Sequence, residues 1–133
     1  MKIKYLILSL LVICFSCSDD DSPPNDDFEQ LIGQWRITGR TIDNIGLLIF
    51  PDGNFVFQDD ANTSDSRGVA TYSDVGPAVD LTFELSTSQR TITFTDEDND
   101  QTVYGYEFAD SDNTLIFTYT TSEGFVAENW ERQ

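Results

Sequence analysis

The chain has 133 residues and a formal charge of −17, with 24 acidic residues against seven lysines and arginines and no histidine. A surface this acidic repels nucleic acids and anionic membranes, because both are bound by neutralising phosphates with Lys and Arg. The composition therefore argues against DNA, RNA and lipopolysaccharide head groups as partners.

The first 16 residues are typical of a secretory signal peptide. A start with two lysines is followed by an apolar run over residues 6–15 and by the small Ser16 before Cys17. The apolar run is roughly half of the ~20 residues that a membrane-spanning helix needs, so we expect a cleaved leader.

The cysteine after this leader predicts a lipid anchor. Ser16 and Cys17 resemble the lipobox of bacterial lipoproteins, in which the cysteine thiol accepts diacylglycerol after cleavage. The resemblance implies that Cys17 is the lipid-attachment residue and that the protein contacts the membrane through this lipid. The alternative is a plain secreted protein with an incidental cysteine.

Residues 17–27 form the predicted lipidated cysteine and its tether. Residues 18–27 contain five aspartates, and their only apolar side chains are two prolines, so they cannot bury surface and should stay extended and solvated. The acidic block directly after Cys17 resembles the export signal of surface-exposed lipoproteins in the Bacteroidetes. It implies an outer membrane lipoprotein that faces the cell exterior. A solvated linker without an export role is the alternative.

The predicted mature chain lacks the usual catalytic side chains. Without residues 1–16 it has five arginines, no lysine or histidine, and a formal charge of −19. Once Cys17 carries lipid, no thiol remains for a disulfide, a nucleophile or a metal site. The usual nucleophile and base pairs cannot be built, which predicts a protein that is not an enzyme and has no cofactor. Paired carboxylates are the remaining catalytic alternative.

Residues 28–133 are predicted to form one all-β domain after a short helix in "FEQLIG". Runs of five to nine residues alternate between polar and apolar side chains and are separated by Asp, Asn, Gly, Ser and Pro. We predict strands at 34–41, 46–50, 54–58, 68–73, 79–86, 90–95, 102–109, 113–120 and 125–132. Short turns such as "FPDGNF" join consecutive strands antiparallel. The expected architecture is an up-and-down β-barrel of about eight strands, because closure removes exposed edges.

The alternation predicts which side chains point into the barrel. One face is aromatic and aliphatic, and the other is rich in Thr, Asp and Glu. Gly105 interrupts an aromatic strand, where we expect a bulge or a bend. The inward aromatic residues that are candidates for lining a ligand site are Phe57, Phe83, Tyr104, Tyr106 and Tyr119.

Three motifs resemble the lipocalin-like lipoproteins of Bacteroidetes, a branch of the calycin-type barrels. They are "LIGQWRITG" (31–39), "FPDGNF" (50–55) and the closing strands "NTLIFTY" and "FVAENWER" (within 113–132). The resemblance implies a structural barrel floor made by Gly33, Trp35 and Arg132, with the arginine lying over the indole ring. The central motif, disulfides and C-terminal helix of larger lipocalins are absent, so the resemblance does not by itself imply a cavity.

One acidic turn has part of the spacing of a calcium loop. Asp96, Asp98 and Asp100 match the first three ligand positions, and Glu107 falls at the twelfth. The glycine needed for the sharp turn is missing, and Glu107 lies in a predicted strand. A solvated hairpin tip is therefore the preferred interpretation, and no metal is expected.

Two functional hypotheses follow from the sequence. In the first, the barrel binds a small hydrophobic or amphiphilic molecule through its open end. In the second, aromatic side chains fill the barrel, and its surface binds a protein or glycan partner without an internal ligand. Barrel volume distinguishes them, and periodicity does not give that volume.

Overall fold

The computed structural model describes residues 26–46, 52–62 and 65–133. The predictions for the signal peptide, Cys17 and residues 18–25 lie outside this part, as does most of the predicted strand 46–50. Asp26 and Asp27, predicted as the end of the extended tether, are instead the first residues of a helix. The described residues form one helix, α1 (Asp26–Leu31), and nine strands. The strands are β1 (Gly33–Ile42), β2 (Ile45–Gly46), β3 (Asn54–Asp59), β4 (Arg67–Ser73), β5 (Val79–Ser86), β6 (Thr91–Thr95), β7 (Gln101–Ala109), β8 (Thr114–Thr121) and β9 (Gly124–Arg132).

The strands form a closed antiparallel barrel. From β3 to β9 each strand pairs with the next, and β1 pairs with β3 on one side and with β9 on the other. Within the described residues, the two-residue β2 pairs with the end of β1, through a turn in which Asp43 and Asn44 have φ of 50° and 66°. Positive φ at both turn residues matches the twist of a two-residue hairpin. Eight strands therefore close the barrel, which confirms the predicted fold class.

The barrel core contains the inward side chains of alternate positions. On β6, for example, Ile92 and Phe94 are buried, while the threonines that alternate with them are partly exposed, as the period of two requires. The largest fully buried side chains are Trp35, Trp130, Phe57, Phe117, Leu31, Ile92 and Leu115.

The helix α1 closes one end of the barrel. Phe28 stacks on Phe83 with ring centroids 5.8 Å apart, and Leu31 is fully buried. The Tyr106 hydroxyl donates a 2.7 Å hydrogen bond to Asp27, which also accepts one of 3.2 Å from Arg90. These contacts fix the six-residue helix over the end of the barrel. None of the helices in the described ranges is long and apolar enough to cross a membrane.

The regular pairing is interrupted in β1, where the register against β9 shifts between Ile37 and Gly39. The extra residue, Thr38, donates from its hydroxyl to the carbonyl oxygen of Asn129. Of the bulge or bend expected at Gly105, the register shows no bulge: Gly105 is the last residue of β7 that pairs with β6 and the first that pairs with β8. A Cβ at position 105 would lie 2.4 Å from the Thr118 hydroxyl, so close packing against β8 explains this glycine.

Candidate functional site

The end of the barrel opposite α1 contains a cavity of about 280 Å³. It lies between inward side chains of the eight barrel strands and the turn that joins β6 to β7. Its walls combine six aromatic rings with four charged side chains and two smaller residues. The lining residues are Phe55, Tyr72, Phe94, Tyr104, Tyr119, Trp130, Arg40, Asp96, Asp100, Glu128, Leu81 and Thr102.

A buried carboxylate lies in the wall of this cavity. Glu128 is only 4% exposed, and it is the buried charged residue of the described core. Its Oε1 accepts hydrogen bonds from Nε of Arg40 at 2.7 Å, from Nη2 of the same guanidinium, and from the Tyr119 hydroxyl at 2.7 Å. Its Oε2 accepts a 3.3 Å bond from Nε1 of Trp130. Burial of a charge is tolerated here because the carboxylate is paired and hydrogen-bonded.

The β1 irregularity brings the two charges together. On β9, Val126, Glu128 and Trp130 occupy alternate inward positions, so the strand itself directs the carboxylate into the barrel. On β1, Trp35 and Ile37 point inward, and strict alternation would turn position 40 outward. The register shift after Ile37 reverses that phase and makes Arg40 the direct cross-strand partner of Glu128.

Burial and the ion pair change the acid–base properties of the cavity wall. Burial alone would lower the pKa of Arg40, but the hydrogen bond and charge of Glu128 outweigh it and raise that pKa. Burial, followed by the hydrogen bond to Glu128 and its charge, raises the pKa of Tyr119 well above its ordinary value. Burial and the same carboxylate also raise the pKa of Tyr104. At neutral pH the cavity therefore presents protonated phenols beside a fixed ion pair.

Of the five candidate lining residues, the structure brings two to the cavity. Tyr104 and Tyr119 line it and stack on each other with ring centroids 4.6 Å apart. Phe57 and Phe83 instead meet edge to face at 5.3 Å in the core below, and Tyr106 bonds to α1. All five point inward as predicted, but alternation does not give the height of a side chain along the barrel axis.

Sequence reasoning missed the ion pair of Arg40 and Glu128. A signal for Glu128 was present, since "FVAENWER" places a charged residue between two apolar ones on the inward face of its strand. For Arg40 the available signal was Gly39, because a glycine within a strand often marks a bulge and the register shift that turns Arg40 inward ends at this residue. The remaining missed lining residues are Phe55, Tyr72, Leu81, Phe94, Thr102 and Trp130, together with Asp96 and Asp100, which the sequence suggested only as weak metal candidates.

The three residues assigned to the barrel floor lie together at the closed end. The Arg132 guanidinium lies 4.5 Å from the centroid of the Trp35 ring, and it donates to the carbonyl oxygens of Gln30 and Ile32. The Trp35 indole donates a 2.8 Å hydrogen bond to the carbonyl oxygen of Leu31. Gly33 has φ of 135°, and a Cβ there would approach Nη1 of Arg132 to 2.9 Å. These contacts join β1 and β9 to the end of α1.

The acidic turn between β6 and β7 is held by the Asp96 side chain, which accepts hydrogen bonds from backbone amides of the turn. Oδ1 of Asp96 accepts hydrogen bonds from the amides of Asp98 and Asp100 at 3.0 and 2.9 Å. Glu107 lies within β7, away from the turn. Across residues 26–46, 52–62 and 65–133, no three acidic, histidine or cysteine side chains are grouped to hold a metal ion. Asp96 thus acts as a turn acceptor at the rim of the cavity.

Two solved structures are similar to this barrel. As-p18, described as an extracellular fatty acid binding protein, has 12% sequence identity and a TM-score of 0.53, with 79% of this chain and 97% of that chain covered. A mutant of the fluorescent protein UnaG has 12% identity and a TM-score of 0.51, with the same coverage. No family model and no curated protein matches the sequence. At this identity the likeness shows the fold alone, which is a closed antiparallel β-barrel of eight strands with one short helix.

Proposed function

We propose that this protein is a cell-envelope lipoprotein whose barrel binds a small hydrophobic or amphiphilic molecule without transforming it. The observation that carries the binding role is the cavity of about 280 Å³ at the end opposite α1. Ligand cavities are mostly apolar with a few placed polar groups, and their volumes begin at about 300 Å³. Six aromatic rings and one buried ion pair match that description for a small ligand.

The uneven filling of the barrel supports binding over a purely structural core. In the half near α1, side chains such as Phe57, Phe83 and Phe117 pack against each other with ring centroids 5.3 and 6.4 Å apart. In the other half, aromatic residues such as Tyr104 and Tyr119 also stack, with ring centroids 4.6 Å apart, but they border the cavity as well. A fold similar to that of an extracellular fatty acid binding protein adds support for the apolar part of the ligand, because a fatty acid consists of an apolar chain with a carboxylate head.

The envelope part of the proposal rests on the sequence of residues 1–27. A leader ending at Cys17 and an acidic tether support a lipid anchor, an outer membrane location and a domain that faces the cell exterior. Replacement of Cys17 by Ser should release the protein from the membrane fraction and prevent incorporation of labelled fatty acid. Protease treatment of intact cells should degrade the domain, whereas full protection would contradict exposure at the cell surface.

Native mass spectrometry tests the binding role. The full chain, purified gently from a host that secretes it, should carry a small molecule that leaves on denaturation. The neutral fluorescent dye N-phenylnaphthylamine should bind the protein stripped of this molecule. Thr102→Trp should abolish dye binding by filling the cavity, since Thr102 lines it.

A matched control lies one residue further along β7. Val103 is 56% exposed and lies on the outer face, so Val103→Trp adds the same ring without reaching the cavity and should leave dye binding unchanged. A bare native mass together with no dye binding would favour the second hypothesis. In that case the acidic outer surface would bind a protein or glycan partner, and the cavity would have no ligand.

A further inference from the structure

We infer that the cavity selects cationic or hydrogen-bond-donating aromatic amphiphiles and rejects anionic ones such as carboxylates. This inference rests on the proposed binding function and specifies the chemistry of its ligand. The charges in the wall carry it. Arg40 is the cation among the lining residues, which also include the three carboxylates of Asp96, Asp100 and Glu128.

The positive charge of Arg40 is already neutralised by a carboxylate of the protein itself. Arg40 donates through Nε and Nη2 to one oxygen of Glu128, whose side chain is only 6% exposed. An incoming carboxylate would have to compete with this buried partner and would approach Glu128 itself. Like charges in a poorly solvated site repel strongly, because the low dielectric amplifies their interaction.

The same carboxylate has capacity for a donor from a ligand. An ionised carboxylate has about four acceptor positions on its two oxygens. Oε1 of Glu128 accepts from Arg40 and Tyr119, whereas Oε2 accepts one 3.3 Å bond from Trp130 within the part of the chain that the structure describes. A ligand N–H or O–H can therefore donate to Oε2 and improve the pairing of a buried charge.

The walls suit an aromatic body with a positive group. Tyr104 stacks on Tyr119, and Phe94 meets Tyr104 edge to face at 5.6 Å. Ring faces attract cations electrostatically, and this attraction strengthens where water is excluded. Asp96 and Asp100 at the rim add two negative charges on the path of entry. The shape of the cavity, its ring faces and its negative charges thus all favour an aromatic ligand with a positive group.

Three probes with one skeleton separate charge from shape. Naphthylmethylammonium, naphthylmethanol and naphthoate carry a positive, a neutral and a negative group on the same ring system. We expect isothermal titration calorimetry of the full chain to give a dissociation constant for the cation that is at least about tenfold lower than that for the anion, with the alcohol between them. The difference should shrink in high salt, since salt screens the carboxylates at the rim.

Matched variants distinguish the cavity from the net charge of the protein. Asp100→Asn removes a charge from the lining, whereas Asp98→Asn removes the same charge from the same turn at a residue that does not line the cavity. We expect the first variant to lose several-fold of the cation preference and the second to retain it. Equal losses in both variants would assign the preference to the overall charge and would overturn the inference.

Glu128→Gln provides an independent test because it leaves Arg40 unneutralised. The preference should then reverse, with naphthoate binding more tightly than naphthylmethylammonium. If naphthylmethanol binds the unmodified protein but naphthoate binds as well as the cation, the inference fails and the proposed function stands. If none of the three probes binds, the proposed function fails for this ligand class together with the inference.

Discussion

The two ends of the barrel use the same seam between β1 and β9 in different ways. At the closed end, Arg132 lies over the Trp35 ring and donates to backbone carbonyls. At the open end, Arg40 pairs with the buried carboxylate of Glu128 beside an unfilled space. At each end an arginine of the seam makes the central contact, but among the residues that the structure describes only the open end contains a buried ion pair.

This difference separates contacts that hold the fold together from contacts that border the cavity. The cation–π contact and the hydrogen bonds to backbone carbonyls stabilise the closed end, because carbonyl groups at the end of a helix lack donors within that helix. A buried ion pair is often no more stabilising than apolar side chains of similar size, because desolvation of both charges opposes their attraction. The ion pair of Arg40 and Glu128 is better explained by the cavity that it borders than by stability.

Truncation of Trp35 should have the largest effect on stability. Trp35→Ala removes a fully buried indole together with its hydrogen bond to Leu31, and we expect a loss of about 3–5 kcal/mol in the free energy of unfolding. Urea denaturation measures it. Val75→Ala, at a side chain 94% exposed, should change stability by less than about 0.5 kcal/mol. A loss below 1 kcal/mol in Trp35→Ala would contradict a structural closed end.

Removal of the open-end cation should come next in magnitude. Arg40→Met leaves Glu128 buried without its ionic partner, which should cost about 2–4 kcal/mol. Adding Glu128→Gln should recover most of that loss, because it removes the unpaired charge. A double-mutant cycle from denaturant midpoints measures the coupling between the two residues.

Arg36 offers a matched control for this cycle on the same strand. It pairs with Asp52 at 3.7 Å, but the two side chains are 58% and 75% exposed. Arg36→Met should therefore change stability by less than about 1 kcal/mol. Equal losses of stability in Arg36→Met and Arg40→Met would show that burial of Glu128 does not make the open-end ion pair different from an exposed one.

Removal of Arg132, the cation of the closed end, should lower the free energy of unfolding by less than either Trp35→Ala or Arg40→Met. Arg132→Ala removes a cation–π contact and two hydrogen bonds to carbonyls, so we expect a loss of about 1–3 kcal/mol and a lower melting temperature. Arg132→Lys should keep part of the ring contact and recover part of the loss. Arg67→Ala, in an exposed pair with Glu84, is the control. An unchanged melting curve in Arg132→Ala would count against the floor.

The sequence was informative about the strands and much less so about the cavity. The predicted strand 79–86 matches β5, and the inward faces follow the alternation of apolar residues. Strict alternation fails at Arg40, since the register shift after Ile37 depends on pairing with β9, 90 residues further along the chain. It also fails to separate Tyr106, which bonds to α1, from Tyr104, which lines the cavity. Both depend on how strands are staggered, and local periodicity does not contain that information.

At alkaline pH, the titration of one tyrosine at each end of the barrel should have a smaller effect on stability than these substitutions. Burial and the hydrogen bond to Glu128 raise the pKa of Tyr119, and burial and the hydrogen bond to Asp27 raise that of Tyr106. The folded protein therefore keeps these protons above the ordinary value of 10, where the unfolded chain releases them. Their contribution to stability is complete below pH 10 and is lost as the pH rises above it, by at most about 1.4 kcal/mol per pH unit for each residue.

Tyr119→Phe should flatten the fall of stability between pH 10 and 11.5, measured by urea denaturation at each pH. It should also lower stability by about 1 kcal/mol at neutral pH, because Glu128 loses a donor. Tyr106→Phe should flatten the same curve from the closed end, and the two effects should add, since the hydroxyls bond to different carboxylates at opposite ends of the barrel. A Tyr119→Phe curve parallel to that of the unmodified protein would show that the phenol beside Glu128 does not hold its proton more tightly in the folded state.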